Sequence, residues 1–315
     1  MRKLKPLLLI GLAAAAVYLS YMCIKYDSAT PVASIMNVSP SEHITYPDDV
    51  PLDDDEPVLF APADDSIIPT TISGGLTIKN STPYTLDVTE LLKEGCPLRL
   101  KAGMPQILII HTHSSEAYSP AGLDQYAETG ISRTLDQNYN VIRIGDELTN
   151  ILESYGLNVI HDKGVYDYPS YEGSYNRSGA AIEQYLKDNP TISMVIDLHR
   201  DALCSDEVTY KTVAEENGVC ASQIMMLIGT DASGLEHPDW MQNLRLALYL
   251  QNAINSEYPT LMRPVQLVSY RYNQHYTRGS MILEVGSNGN TLQEALAAIR
   301  LYGSSVAPAL AALVE

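Results

Sequence analysis

The chain has 315 residues, a formal net charge of −18 and 45% hydrophobic residues. So acidic a composition, with no stripe of Lys and Arg, excludes nucleic acid as the expected partner. The four cysteines include no Cys-x-x-Cys pair, which excludes a zinc ribbon by spacing. Cys204 and Cys220 flank a predicted hairpin, and spacing alone leaves open whether they pair or stay thiols.

The N-terminus predicts a transmembrane signal-anchor over residues 1–26. Basic residues precede an apolar run from Leu7 to about Ile24, an order that leaves the N-terminus in the cytoplasm. Roughly 18 apolar residues are just enough to span a bilayer as a helix. A cleaved signal peptide is the alternative, although a shorter apolar run and a small-residue cleavage site are typical of one. Either way, the rest of the chain is expected outside the cytoplasm.

Residues 27–70 predict an acidic flexible stalk. No Lys or Arg occurs between Asp27 and Ile78, and ten carboxylates lie between Asp27 and Asp65. Low hydrophobicity does not support a core, and repulsion between charges of one sign extends such a segment.

The remaining chain predicts a small lead-in segment over residues 71–104 and one catalytic domain over residues 105–315. The lead-in holds a strand at Gly75–Lys79 and a short helix at Val88–Lys93. After it, short apolar runs alternate with segments of helical periodicity. The predicted strands are Gln106–Ile110, Leu157–Ile160, Ile192–Leu198, Ile224–Ile228, Val265–Tyr270 and Met281–Val285, and the predicted helices are Asn140–Tyr155, Ser178–Lys187, Met241–Tyr258 and Leu292–Leu313, the last kinked or broken at Pro308.

This alternation predicts an α/β fold with a mostly parallel twisted sheet, flanked by helices on both faces. In such sheets, ligands and reacting groups gather beyond the carboxyl ends of the strands. Three of the predicted strands carry His or Glu at or near that end. If these strands are neighbours, their polar side chains converge on one point.

The first of these strands is followed at once by His111, His113 and Glu116. Alternate residues at a strand end point the same way, so both histidines are candidate ligands of one metal, or one binds it and the other hydrogen-bonds nearby. Asp136, before the next helix, is the alternative to Glu116 as carboxylate ligand, although the helix macrodipole explains Asp136 more simply. Histidines and a carboxylate with one open position are typical of a hydrolytic zinc site.

The other two strands supply His199, Arg200 and Glu284. Asp197, two residues before His199, either points to the opposite side or orients a ligand. Arg200 either forms a local ion pair or holds a substrate carboxylate through its planar guanidinium. A carboxylate in an apolar strand, such as Glu284, has a raised pKa and suits proton transfer, unless an ion pair explains it.

These residues predict a zinc-dependent hydrolase. The zinc ion is expected to lower the pKa of a bound water from about 15.7 to near 7. Glu284 is expected to accept the proton of that water and pass it to the leaving amine, while zinc and Arg200 stabilise the oxyanion. The expected ligands of Zn²⁺ are His111 or His113, Glu116 and His199.

Six segments in combination resemble the stage II sporulation protein P family, the membrane-anchored cell-wall hydrolases of endospore-forming bacteria. The resemblance covers roughly residue 75 to the C-terminus, together with the layout of the anchor. The segments are Leu108–Tyr118, Tyr139–Gly145, Tyr175–Ser178, Asp197–Ala202, His237–Trp240 and Leu283–Gly286.

The resemblance implies a fold related to zinc-dependent N-acetylmuramoyl-L-alanine amidases. It implies cleavage between N-acetylmuramic acid and the L-alanine of the stem peptide, and endopeptidase action on peptide cross-links. It also implies work with stage II sporulation proteins D and M during engulfment, in the space between forespore and mother cell. Typical wall amidases take a glutamate ligand from the start of the helix after the first strand. Here that region offers Asp136 and no Glu, so Glu116 or Asp136 has to serve.

Two other functions compete with the amidase. One is a peptidase of the same architecture, acting mainly on cross-links between stem peptides. The other is a non-catalytic, membrane-anchored module that binds the cell wall through a degenerate site and needs no metal. The intact set of His, His and Glu favours an enzyme.

Overall fold

The computed structural model describes residues 70–73, 75–130, 132–205 and 208–315. The predicted anchor, residues 1–26, and almost all of the predicted stalk lie outside these ranges. Within them, no helix is both long and apolar enough to cross a membrane.

Twelve strands are formed by the described residues. Eight of them make one large sheet, and two short hairpins hold the other four. The strands are β1 (Thr70–Ser73), β2 (Leu76–Asn80), β3 (Ile107–Ile110), β4 (Val159–His161), β5 (Met194–Asp201), β6 (Cys204–Ser205), β7 (Val208–Thr209), β8 (Val213–Glu216), β9 (Val219–Ser222), β10 (Ile224–Gly229), β11 (Val265–Val268) and β12 (Ser280–Ser287).

Two of the longer helices begin at side-chain caps. The Asn140 side chain accepts a hydrogen bond from the Ile142 amide, and Thr291 and Glu294 form a capping box. The helices are α1 (Val88–Lys93), α2 (Val141–Ser154), α3 (Ser174–Asp188), α4 (Trp240–Glu257) and α5 (Leu292–Ala311), with a 3₁₀ turn at Gln274–Tyr276.

The order of strands in the large sheet is β1-β2-β11-β10-β12-β5-β3-β4. Five of its seven pairings are parallel, and the two antiparallel ones are β1 with β2 and β10 with β12. The expected mostly parallel α/β sheet is therefore confirmed. Because β12, β5, β3 and β4 all run the same way, the carboxyl ends of β3, β5 and β12 lie together at one edge.

Alternate residues of the central strands pack on opposite faces of the sheet, and every residue of β3 and β5 is buried. Ile107, Ile109 and Ile196 belong to the large core, which α2, α4 and α5 cover. Leu108 and Val195 face the other side, where α3 covers a smaller cluster. Helices therefore flank both faces, but three of them share one face.

Three details add to the sequence-based picture. Strand β2 of the predicted lead-in pairs with β11 in the main sheet. Helix α5 is not broken at Pro308 but continues to Ala311. Cys204 and Cys220 lie in different hairpins and form no disulfide bond.

Candidate metal centre

Three predicted ligands come together in the structure: His113, Glu116 and His199. Each offers one ligand atom, and these atoms all lie within 4.8 Å of one another. Nδ1 of His113 is 3.6 Å from Oε1 of Glu116, and Nδ1 of His199 is 3.4 Å from Oε2. All three residues are buried, with at most 3% of their surface exposed.

A turn after β3 brings His113 and Glu116 together. The strand ends at Ile110, and the Glu116 amide closes the turn by donating to the His113 carbonyl, 3.1 Å away. Two carboxylates fix this turn, because the Thr112 amide donates to Asp197 and the Ser115 hydroxyl donates to Asp167. His113 and Glu116 therefore meet because they lie three residues apart in a turn, and not because they alternate along a strand.

Asp197 holds the third ligand in place. Its Oδ1 is 2.8 Å from Nε2 of His199, two residues further along β5, which leaves Nδ1 of that ring directed toward Glu116. A carboxylate behind a histidine ligand fixes the orientation of the ring and increases its basicity. The expectation that Asp197 orients a ligand therefore fits its position.

The electrostatics of the group favour positive charge at its centre. Burial alone would raise the pKa of Glu116, but Arg200, His113 and His199 outweigh burial and hold that pKa well below its ordinary value. Burial alone would lower the pKa of His199, but Asp197 and Glu116 raise it well above its ordinary value. Two buried carboxylates thus act on the same imidazole.

The donor set fits zinc. Zinc bonds to His nitrogen and carboxylate oxygen are about 2.0–2.1 Å, so tetrahedral geometry separates neighbouring ligand atoms by roughly 3.3 Å. His113 and His199 lie 3.6 Å and 3.4 Å from the two different oxygens of Glu116, and one ligand atom from each residue lies within 4.8 Å of the others, a spread somewhat wider than the tetrahedral one. Two histidines and one carboxylate leave a fourth position for water or substrate, as in catalytic zinc sites.

Glu284 lies beside the group on the neighbouring strand. It is in register with His199 in the parallel pair of β12 and β5, so both side chains leave the same face of the sheet. Its charge also acts on Tyr118. Burial, Glu116 and Glu284 together raise the pKa of Tyr118 well above its ordinary value, although Arg200 acts to lower it. Glu284 is thus next to the group without belonging to it.

Arg200 takes a different position from the one expected. It is 5% exposed, its Nε donates to the Ala117 carbonyl at 2.9 Å and its Nη2 donates to the Ser132 carbonyl at 3.0 Å. Its amide also donates to Oε2 of Glu116 at 3.1 Å. Arg200 therefore positions the ligand loop from behind, where a substrate carboxylate does not reach it.

His111 does not join the three ligands. His111 follows Ile107 and Ile109 at every second position of the chain, so its ring points to the same face of the sheet, which α2 covers. One ring nitrogen contacts the Leu198 carbonyl and the other contacts Nε2 of His161, both at 2.8 Å. Burial and the nearby His161 lower the pKa of His111 to about 3, so the ring is neutral.

Asp136 also lies outside the group. It is exposed, and its side chain accepts hydrogen bonds from the amide and side chain of Asn138. Of the two candidate carboxylates, only Glu116 therefore lies with His113 and His199.

The sequence analysis missed Arg133, Asp167 and Tyr171. Arg133 donates to Asp167 at 2.7 Å, lies 3.6 Å from Glu116 and sits 4.9 Å from the centre of the Tyr171 ring. That ring stacks on His113 with centroids 4.6 Å apart. None of the three adjoins a predicted strand end, so no periodic signal marks them.

Comparison with known proteins shows the family of the chain. The model of the family "Stage II sporulation protein P" matches residues 64–306. The chain belongs to this family. Stage II sporulation protein P of Bacillus subtilis (strain 168) is 26% identical over 203 residues, which cover 60% of this chain and 47% of that relative. The chain thus spans about half the length of the curated relative it matches.

Solved structures of amidases are also similar to the chain. The N-acetylmuramoyl-L-alanine amidase AmiC2 of Nostoc punctiforme has a TM-score of 0.38 and 13% identity, covering 67% of this chain and 96% of that one. The CwlD amidase from Clostridioides difficile, in complex with the GerS lipoprotein, has a TM-score of 0.39 and 15% identity, covering 66% of this chain and 99% of that one. Ami1 from Mycobacterium smegmatis has a TM-score of 0.39 and 12% identity, covering 68% of this chain and 99% of that one.

Replacing Gly145 with Ala is expected to lower the free energy of unfolding by about 1–3 kcal/mol. The new Cβ would lie 2.5 Å from Nε2 of His161 and 2.7 Å from Nε2 of His111. Both rings are held by hydrogen bonds and have no room to retreat. Gly130→Ala is the control, because its Cβ would meet nothing closer than 3.7 Å. Denaturant unfolding that shows equal stability for both variants would contradict this account.

Proposed function

We propose that the chain is a zinc-dependent peptidoglycan hydrolase of sporulation. It cleaves the amide bond between N-acetylmuramic acid and the L-alanine of the stem peptide, the bond implied by the sequence resemblance. The observation that carries the proposal is the buried group of His113, Glu116 and His199, with Glu284 in register beside it. Membership of the sporulation family supplies the biological setting.

The chemistry follows from the positions of these residues. A zinc ion held by His113, Glu116 and His199 would supply a Lewis acid and would lower the pKa of a nearby water to about 7. Glu116 offers one oxygen to each side of the group, and Asp197 keeps the His199 ring in the ligating orientation. Burial of all three ligands keeps bulk water from competing for the site.

Glu284 moves the proton in this proposal. Hydrolysis of an amide needs a base that accepts a proton from the attacking water and an acid that gives a proton to the leaving nitrogen. A single carboxylate beside His199 performs both steps in turn. Arg200 contributes by fixing Glu116, which with His113 and His199 would hold the metal that stabilises developing negative charge.

The proposed location and partners come from the family resemblance. An anchor at residues 1–26 would tether the domain to the cell membrane, facing the space between forespore and mother cell. Stage II sporulation proteins D and M are the proposed partners and peptidoglycan is the proposed substrate. The acidic composition of the chain leaves no role for nucleic acid.

The first prediction concerns metal and products. The full chain, purified in detergent, is expected to contain near-stoichiometric zinc and to release free stem peptides from purified sacculi. A chelator should abolish the release, and added zinc should restore it. Release of resolved dimers whose stems stay attached to glycan would instead indicate an endopeptidase. No metal and no release, even with zinc and stage II sporulation protein D present, would indicate a wall-binding module.

Glu284→Gln is expected to lower the turnover number about 10²–10⁴-fold, because the amide side chain accepts no proton. Zinc content should stay at the wild-type value, since Glu284 is not a ligand. Glu153→Gln, at an exposed position on α2, is the matched control and should keep full activity. Full turnover in Glu284→Gln would remove Glu284 from the mechanism.

The two histidines after β3 should behave differently. His113→Ala is expected to lose bound zinc, because it removes a ligand. His111→Gln is expected to keep zinc, because His111 contacts Leu198 and His161 instead. Metal analysis of both purified variants checks this. Zinc lost from His111→Gln and kept in His113→Ala would reverse the assignment.

A further inference from the structure

A row of aromatic side chains runs away from the metal centre along the α3 side. Tyr171 stacks on His113 at 4.6 Å, and Tyr175 meets the same ring edge-on at 5.4 Å. Tyr272 lies 5.4 Å from Tyr175, measured between ring centroids. All three tyrosines are partly exposed. We call Tyr171, Tyr175 and Tyr272 the tyrosine rim.

The loop that carries Tyr272 is fixed at both sides. Asn273 donates to the Tyr175 carbonyl at 2.9 Å and to the Ser178 hydroxyl at 3.1 Å, which joins the loop to α3. Gln274 accepts from the Gly229 amide at 2.9 Å and donates to the Leu227 carbonyl at 3.0 Å, which joins it to β10. The loop next to Tyr272 is therefore held on both sides.

The backbone at Tyr272 is strained. Tyr272 has a φ of 49°, in the left-handed region that non-glycine residues rarely adopt. The loop also passes so near β10 that a Cβ on Gly229 would lie 2.2 Å from the Tyr270 carbonyl oxygen. Strain of this kind persists where surrounding contacts enforce it, and it often marks a ligand-binding position.

We propose that the tyrosine rim binds a saccharide ring of the glycan strand and so holds one side of the scissile bond at the metal centre. This inference rests on the proposed function, because it names the part of that substrate which the rim contacts. The apolar C–H face of a pyranose packs flat on aromatic rings.

The rim side chains themselves favour the sugar over the stem peptide. Stem peptides carry carboxylates, whereas the three rim side chains are uncharged. Arg133, which lies over the Tyr171 ring, is already paired with the buried Asp167 at 2.7 Å. Arg271, next to Tyr272 in the chain, donates to the Glu236 carbonyl, and Arg177 donates to the Ser170 and Glu172 carbonyls on either side of Tyr171. The titration with free stem peptides therefore decides between the two parts of the substrate.

The test measures binding without turnover. The full chain, in detergent, is titrated with peptide-free glycan strands and, separately, with free stem peptides. Tyr272→Ala is expected to weaken binding of the strands about 2- to 10-fold and to leave binding of the peptides unchanged. Tyr272→Phe keeps the ring and should stay within about twofold of wild type. Tyr272→Gly relieves the positive φ and should lose the same affinity as Tyr272→Ala, which excludes misfolding as the cause.

Kinetics on uncrosslinked strands that carry stems give a second readout. Tyr272→Ala should raise KM by the same factor, with kcat and zinc content unchanged, because uniform binding is lost. Tyr155→Ala is the matched control, since Tyr155 is 47% exposed at the end of α2, on the other face of the sheet.

Two results would overturn the inference: wild-type affinity for strands in Tyr272→Ala, or weakened binding of stem peptides instead of strands. Absence of strand binding by the wild-type chain would overturn it too. Failure of the hydrolase proposal is a separate result: the wild-type chain with zinc would release no peptide from sacculi. The two failures are distinguishable because strand binding is measured without catalysis.

Discussion

The site depends on one buried carboxylate, Asp197. Its oxygens accept hydrogen bonds from the Thr112 amide and hydroxyl, at 2.8 Å and 2.7 Å, and one of them lies 2.8 Å from His199. A single side chain thus ties the turn after β3, which carries His113 and Glu116, to the ligand on β5. A buried charge is tolerated only where partners compensate it, and here the partners are parts of the metal centre. Loss of this carboxylate would disturb turn and ligand together.

The direction of the strands explains why these elements meet. Strand β5 lies between β3 and β12, and all three run the same way. On the far side of β12 the direction reverses, so β10 and β11 place their carboxyl ends at the opposite edge of the sheet. The parallel block therefore supplies the metal centre. The connection from β11 to β12 therefore begins and ends at the edge opposite the candidate metal centre. It crosses the face of the sheet beside α3, where Asn273 donates a hydrogen bond to Tyr175.

Much of this arrangement could be predicted from the sequence, because buried strands are short apolar runs and polar residues at their ends stand out. That reasoning named His113, Glu116 and His199, which the structure brings together, and Glu284, which is in register with His199. It did not separate His113 from His111, because the alternation of β3 was assumed to continue where the chain turns. It also gave Arg200 a substrate role, since spacing does not reveal that its donors go to the Ala117 and Ser132 carbonyls. Long-range pairings of this kind leave no local pattern.

The proposed reacting groups and the proposed sugar-binding groups stand on different parts of the fold. His199 and Glu284 stand on neighbouring strands whose register fixes their separation, so the sheet gives them the rigidity that proton transfer requires. The tyrosine rim stands on a helix start and a loop, which can change in length and residue type while the sheet stays intact. His113 touches both sets, through its contacts with Tyr171 and Tyr175 on one side and with His199 on the other. A substrate seated on the rim would therefore be aligned with the reacting groups through one ligand, without either set having to move.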